Sequence, residues 1–134
     1  MVTAASRRKR RAYITSLIDR IYSASPGIRF VAIYQGQHML AGGMRRGLSS
    51  IDPEEEAYDI DLQLAKIGEI TRSWQRWFGN MNAFVVGYEK LNLVFQPLGE
   101  GRYLVLSTEA GLNSFELLET LAKQDYKRLA DMIP

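Results

Sequence analysis

Residues 52–80, DPEEEAYDIDLQLAKIGEITRSWQRWFGN, read as one long helix with more apolar surface than a small domain covers by itself. Asp52 suits the N-cap, Pro53 the first helical position, and Glu54, Glu55 and Glu56 the positive end of the helix dipole. Asp52 and Glu55 approximate a capping box. Gly79 and Asn80 supply a stop that tolerates a left-handed residue, so the helix runs about 26 residues, or roughly 39 Å. Counted from Ile60, the residues Leu64, Ile67, Ile70, Thr71, Trp74, Trp77 and Phe78 fall within an arc of roughly 140°, with Ala57 and Gly68 at its edge. One sheet covers the middle of such an arc. Its Ile70 and Trp77 edge calls for a second surface, from this chain or from another.

On either side of the helix the periodicity changes to that of strands. Upstream, IRFVAIYQGQHMLAGGMRRG predicts a strand over Ile28–Tyr34, a tight connection at Gln35, Gly36 and Gln37, and a second strand over His38–Met44. Both alternation sets of the first strand are mostly apolar, which predicts cover on both faces. Downstream, NAFVVGYEKLNLVFQPLGEGRYLVLST holds strands at Ala83–Tyr88, Leu91–Gln96 and Arg102–Thr108, joined by Glu89/Lys90 and by residues 97–101. Connections that short favour an antiparallel meander.

The two ends of the chain are helical. Residues 12–24, AYITSLIDRIYSA, place Ile14, Leu17, Ile18 and Ile21 on one stripe, with Tyr13 and Tyr22 at its edges, and stop at Ser25, Pro26 and Gly27. Gly111, Asn113 and Ser114 precede a final helix, expected to carry Phe115, Leu118, Leu121, Ala122, Leu129 and Met132 on one side. The order is therefore helix, two strands, long helix, three strands, helix, with no internal repeat.

At 134 residues and 15.2 kDa, with 46% hydrophobic residues, the chain is most simply one domain able to bury a core without metals or disulfides. It contains no cysteine, which excludes disulfides, thiol nucleophiles and thiolate metal sites, and the single His38 excludes a multi-histidine site. The net charge of +2 is unevenly placed. Arg7, Arg8, Lys9, Arg10 and Arg11 hold five of the 17 basic residues, leaving 12 against 15 acidic ones, a body near −3. Residues 1–11 read as a basic, disordered tail and 12–134 as one domain. No apolar run approaches the roughly 20 residues that span a bilayer, and no secretory leader precedes the basic run; the expected location is the cytoplasm.

This order of elements resembles the Roadblock/dynein light chain family. The hairpin IRFVAIYQGQHMLAGG ends in the family's small-residue run. The stretch VFQPLGEGRYLVLSTEAGLNSFELLETLAK is similar to its last hairpin, its Pro-Leu-Gly turn and its bridge into the closing helix. The likeness covers roughly Tyr13 to Leu129, and IRFVAIY with AGGMRRG looks closest to small, functionally unassigned archaeal Roadblock-like proteins. It implies an α+β fold with a five-stranded antiparallel sheet in order 2-1-5-4-3. The long helix lies on one face and the N- and C-terminal helices on the other. It also implies a homodimer in which the long helices pair and the third strands meet edge to edge. That assigns Ile70, Trp74, Trp77, Phe84, Val86 and Tyr88 to the interface, and pairing removes two liabilities, an exposed edge and an over-wide apolar arc. The basic tail is not part of the family's pattern.

Motifs for chemistry are sparse. No Gly-rich loop closes on Lys and Ser/Thr as a P-loop does, and Gly42-Gly43 and Gly99-x-Gly101 fit turns or close packing. His38 has no triad context and reads as a structural or surface residue. Glu54, Glu55, Glu56, Asp59 and Asp61 lack the loop oxygens that a calcium site needs and read as a solvated helix start. Arg7–Arg11 are candidates for an anionic surface, lipid or nucleic acid, against the plainer reading of a solubilising tail. Arg45 and Arg46 read as a solvated turn. The expectation is a non-enzymatic, cofactor-free homodimeric scaffold or adaptor, its partner by the family's implication a small GTPase, a motor subunit or a regulatory complex. Two alternatives stand beside it. One is a small-molecule sensor of profilin/PAS-like layout; the other is a membrane- or nucleic-acid-associated protein working through the tail.

Overall fold

A computed structural model describes residues 3–36, 38–48, 66–99 and 101–123. Its elements are α1 (Ala4–Tyr22), β1 (Ile28–Gln35), β2 (His38–Met44), a helical segment α2 over 66–72, α3 (Gln75–Phe78), β3 (Phe84–Gly87), β4 (Leu91–Gly99), β5 (Arg102–Glu109) and α4 (Ser114–Ala122). The strands form one antiparallel sheet in the order β2-β1-β5-β4-β3, the order the family resemblance implies. The expected N-cap at Asp52, the acidic helix start, Leu64, Leu129 and Met132 lie outside the described residues.

Alternation along the strands sorts side chains into two cores. Val31, Ile33, Val94, Leu104 and Leu106 point to one face and pack with Leu17 and Ile21 of α1 and Leu117 and Leu121 of α4. The opposite face carries Ala32, Tyr34, Phe95, Tyr103 and Val105. Gly68 of α2 lies against this second face, where an added Cβ would sit 3.5 Å from Phe95. The double cover expected for β1 is thus present: Val31 and Ile33 are buried on the face of α1 and α4, and Ala32 and Tyr34 on the opposite face. On the second face Tyr34 stacks on Tyr103 at 5.5 Å and Phe95 on Tyr103 at 4.4 Å, an aromatic row that crosses β1, β5 and β4.

Close backbone approach is needed at Gly42. It pairs with Ala32 at φ +133°, and a Cβ there would lie 2.2 Å from the Val31 carbonyl oxygen. The close-packing reading of this glycine therefore holds. Gly101, at φ 76°, makes the turn between β4 and β5.

Three sequence expectations are corrected. The long helix is not continuous to Gly79: regular helix ends at residue 72, a turn occupies 73–74, and α3 follows. The Thr71 hydroxyl donates to the Ile67 and Gly68 carbonyls, and Ser73 Oγ donates to the Ile70 carbonyl at 2.7 Å, so side chains compete for the carbonyls that the ladder uses. The Gly79 stop is as expected, at φ 81° with its N–H on the Gln75 carbonyl.

The second correction concerns the N-terminus. Residues 4–11, read as a disordered tail, are helical, and Arg7 N–H bonds the Thr3 carbonyl at 3.1 Å. Ala, Arg and Lys are strong helix formers, and this propensity outweighs like-charge repulsion of a few tenths of a kcal/mol per pair. The third concerns α4, whose core face is Ser114, Leu117 and Leu121, with Leu118 beside it, while Phe115 and Ala122 are exposed.

Candidate protein-interaction surface

Among the described residues β3 is the last strand of the sheet, and no described strand lies beside one row of its backbone groups. The Glu89/Lys90 turn closes with Tyr88 N–H on the Leu91 carbonyl at 2.9 Å. Alternation from that bond directs the N–H and C=O of Phe84 and Val86 towards β4 and those of Val85 and Gly87 outwards. Phe84 opposes Phe95 and packs with Met81 against the second core, whereas Val86 is half-buried and Tyr88 exposed.

The helical segments before β3 present large apolar side chains to solvent. Ile70 is 60% exposed, Trp74 52%, Trp77 63% and Phe78 81%. Gly68 rests on Phe95, and Phe95 is paired with Phe84 of the edge strand, so α2 lies over the β3 side of the sheet. Arg76 stacks on the Trp77 ring, its guanidinium carbon 4.1 Å from the centroid. Of the six residues singled out from the sequence, Ile70, Trp74, Trp77 and Tyr88 are exposed, while Phe84 and Val86 are half-buried on the edge strand. Phe78 belongs to the same exposed apolar group, although the sequence reading placed it only within the helix arc.

Other charged candidates fall elsewhere. His38 begins β2 and is exposed. Arg7, Arg8 and Lys9 are exposed on the first half of α1. The acidic group at 54–61 lies outside the described residues, and among those described no cluster of three or more His, Asp or Glu is placed to hold a metal ion. No helix among the described residues is long and apolar enough to cross a membrane.

Arg45, read from the sequence as part of a solvated turn, is a clasp. Its Nε donates to the Ile28 carbonyl at 2.6 Å and its Nη2 to those of Tyr22 and Ser25 at 2.8 and 2.7 Å. The guanidinium also lies 4.7 Å from the centroid of the Tyr22 ring, and the Tyr22 hydroxyl donates to the Gly43 carbonyl. One cation thus satisfies carbonyls at the C-terminal end of α1 and ties that end to β1 and β2. Burial raises the Tyr22 phenol above its ordinary value of 10.0, opposed by a hydrogen bond with the Val31 backbone and by the Arg45 charge. At the same end of the strands, across β5, Asn92 Nδ2 donates to the Ala110 and Leu112 carbonyls and holds the loop that leads into α4. The Asn113 side chain then accepts from the Phe115 and Glu116 N–H groups as N-cap. A donor following Gly42-Gly43 was the available signal for Arg45; nothing local marked its three acceptors.

No protein-family model and no curated protein matches this chain. Solved structures do. The gliding protein MglB from Thermus thermophilus superposes with a TM-score of 0.71 at 15% identity, over 91% of each chain. A structure described as MglB with tetrameric arrangement gives 0.72 at 17% identity over 93% of each. The Roadblock/LC7 domain from Streptomyces avermitilis gives 0.63 at 14%, over 90% of this chain and 92% of its own. The agreement extends to nearly the full length of all three, and the fold of this chain is Roadblock-like.

Proposed function

We propose that the chain is a non-enzymatic homodimeric adaptor of the cytoplasm, which pairs through α2, α3 and the free edge of β3 and docks a protein partner on the resulting body. The observation that carries this reading is the group of exposed apolar side chains, Ile70, Trp74, Trp77 and Phe78, leading into the strand that ends the sheet among the described residues. Tryptophan is enriched among interface anchors, where truncation costs about 2 kcal/mol or more of binding. A second β3 edge would supply acceptors and donors for the outward groups of Val85 and Gly87. A small GTPase or a regulatory complex containing one is the partner class that the Roadblock resemblance implies. The tetrameric arrangement recorded for MglB shows that protein assembling with itself and supports the same habit in this fold. The second sheet face carries the stacked row Tyr34, Tyr103 and Phe95, whose rings pack on one another, and this supports the adaptor over the sensor.

Light scattering on the purified chain tests the pairing. A dimer is expected at micromolar concentration, with Trp77→Glu giving a soluble, folded monomer. Gly87→Pro should have the same effect, because proline removes an outward N–H and is tolerated on an edge. A wild-type chain that is monomeric at that concentration, or a Trp77→Glu chain that fails to fold, would overturn the assignment.

A further inference from the structure

The first half of α1 contributes no described side chain to either core. Leu17 is the first buried residue among those of the helix whose side chains are described, and among residues 4–12 those side chains, Ala4, Ala5, Arg7, Arg8, Lys9 and Ala12, are all exposed. These nine residues run on for about 13 Å ahead of the packed half. Arg7–Arg11 occupy consecutive helical positions, and no acidic residue precedes Asp19. At about 100° per residue, Arg7, Arg8 and Lys9 alone span about 200° of the helix circumference, and positions 10 and 11 close the turn. Cations on every side, near the positive end of the dipole, repel one another unless an anionic partner surrounds them.

Geometry selects that partner. A bilayer meets one side of a helix, and helices that lie in its surface bury an apolar face. Residues 3–12, TAASRRKRRA, contain no large apolar residue. The major groove of duplex DNA, about 12 Å wide, admits a helix and has phosphates along both walls. The corresponding groove of double-stranded RNA is too narrow to admit side chains. We propose that the first half of α1 is a sequence-independent arm for duplex DNA, seated in the major groove by Arg7, Arg8, Lys9 and the rest of the basic run. The proposal goes beyond the adaptor reading and does not rest on it.

Fluorescence anisotropy of the full chain with a labelled mixed-sequence duplex of about 24 base pairs, at roughly 50 to 200 mM salt, tests it. Five phosphate contacts predict a log–log salt slope of about −4.5, a loss of affinity of roughly 500-fold over that range. The triple variant Arg7→Gln/Arg8→Gln/Lys9→Gln should flatten the slope to about −1.8 and bind more weakly at the lowest salt, with its melting temperature unchanged. Arg7→Lys/Arg8→Lys, which keeps the charge, should retain both affinity and slope. Absence of binding at the lowest salt, or a glutamine triple variant that binds like the parent, overturns the proposal. Tighter binding to vesicles containing about 30% phosphatidylserine than to the duplex, at equal salt, overturns it in favour of a membrane.

Discussion

On the side of the sheet facing α1 and α4, Leu17, Ile21, Val31, Ile33, Leu104, Leu106 and Leu121 interlock at 1% exposure or less. On the side facing α2, the sheet itself is covered by stacked aromatics, yet the segments above it leave Ile70, Trp74 and Trp77 in solvent. The difference is that two helices from opposite ends of the chain converge on the first side. The described helical residues over the second present apolar groups on more of their circumference than one sheet face meets. A chain can thus complete one core internally and still carry surplus apolar surface of the kind that a second polypeptide covers.

The sharpest way to break this contrast is to make similar truncations on both sides. Leu104→Ala, on the closed side, should destabilise the fold by about 2–5 kcal/mol in urea unfolding, because it leaves a cavity between β5 and the two terminal helices. Gly42→Ala comes next, at about 2–4 kcal/mol, since its Cβ would meet the Val31 carbonyl in a backbone conformation that L residues avoid. Ile70→Ala, on the open side, should change the stability of the folded monomer by less than about 0.5 kcal/mol while weakening self-association in sedimentation. A loss of monomer stability comparable to that of Leu104→Ala would mean that Ile70 belongs to a core after all.

The last and smallest effect concerns pH. The folded Tyr22 phenol is held above its unfolded value of 10.0, so its contribution is complete below pH 10.0 and declines as pH rises through the folded value. The urea midpoint should therefore fall more steeply in alkali for the parent chain than for Tyr22→Phe. In Arg45→Gln the decline should still begin at pH 10.0 but continue to higher pH, because removing a positive charge that favours the phenolate lifts the folded value further.

How far the sequence discloses this arrangement depends on whether a signal is local. Strands β1, β4 and β5 announce themselves by short apolar runs bounded by glycine and tight turns, and their order follows from the family resemblance. The break at Ser73–Trp74 had a local signal in Thr71 and Ser73, outweighed in the reading by the continuity of the apolar arc. In α4 the apolar pattern groups Phe115, Leu118, Leu121 and Ala122; Leu121 is buried and Leu118 packs beside the core, but Phe115 and Ala122 are exposed while Ser114 and Leu117 are buried. The Asn113 cap and the convergence with α1 set the rotation of that helix, and neither is a property of hydropathy. The Arg45 clasp was the least legible feature, since its acceptors belong to three positions separated from it by 17 to 23 residues. For the candidate surface, the helix arc marks Ile70 and Trp77 as surplus and the family resemblance adds Trp74; each is exposed, and so is Phe78, which neither singles out.

That clasp bears on how this chain can drift over evolutionary time. Each oxygen that Arg45 holds is a main-chain carbonyl, present whatever amino acid occupies positions 22, 25 and 28. Tyr22 also lends its ring to the guanidinium, but positions 25 and 28 are free, as far as the clasp is concerned, to change without compensation. Position 45 is not, because lysine offers a single point charge where a planar fork now reaches three acceptors. Among distant descendants, the joint between α1 and the sheet should be recognisable by one arginine surrounded by sequence that has otherwise lost its resemblance.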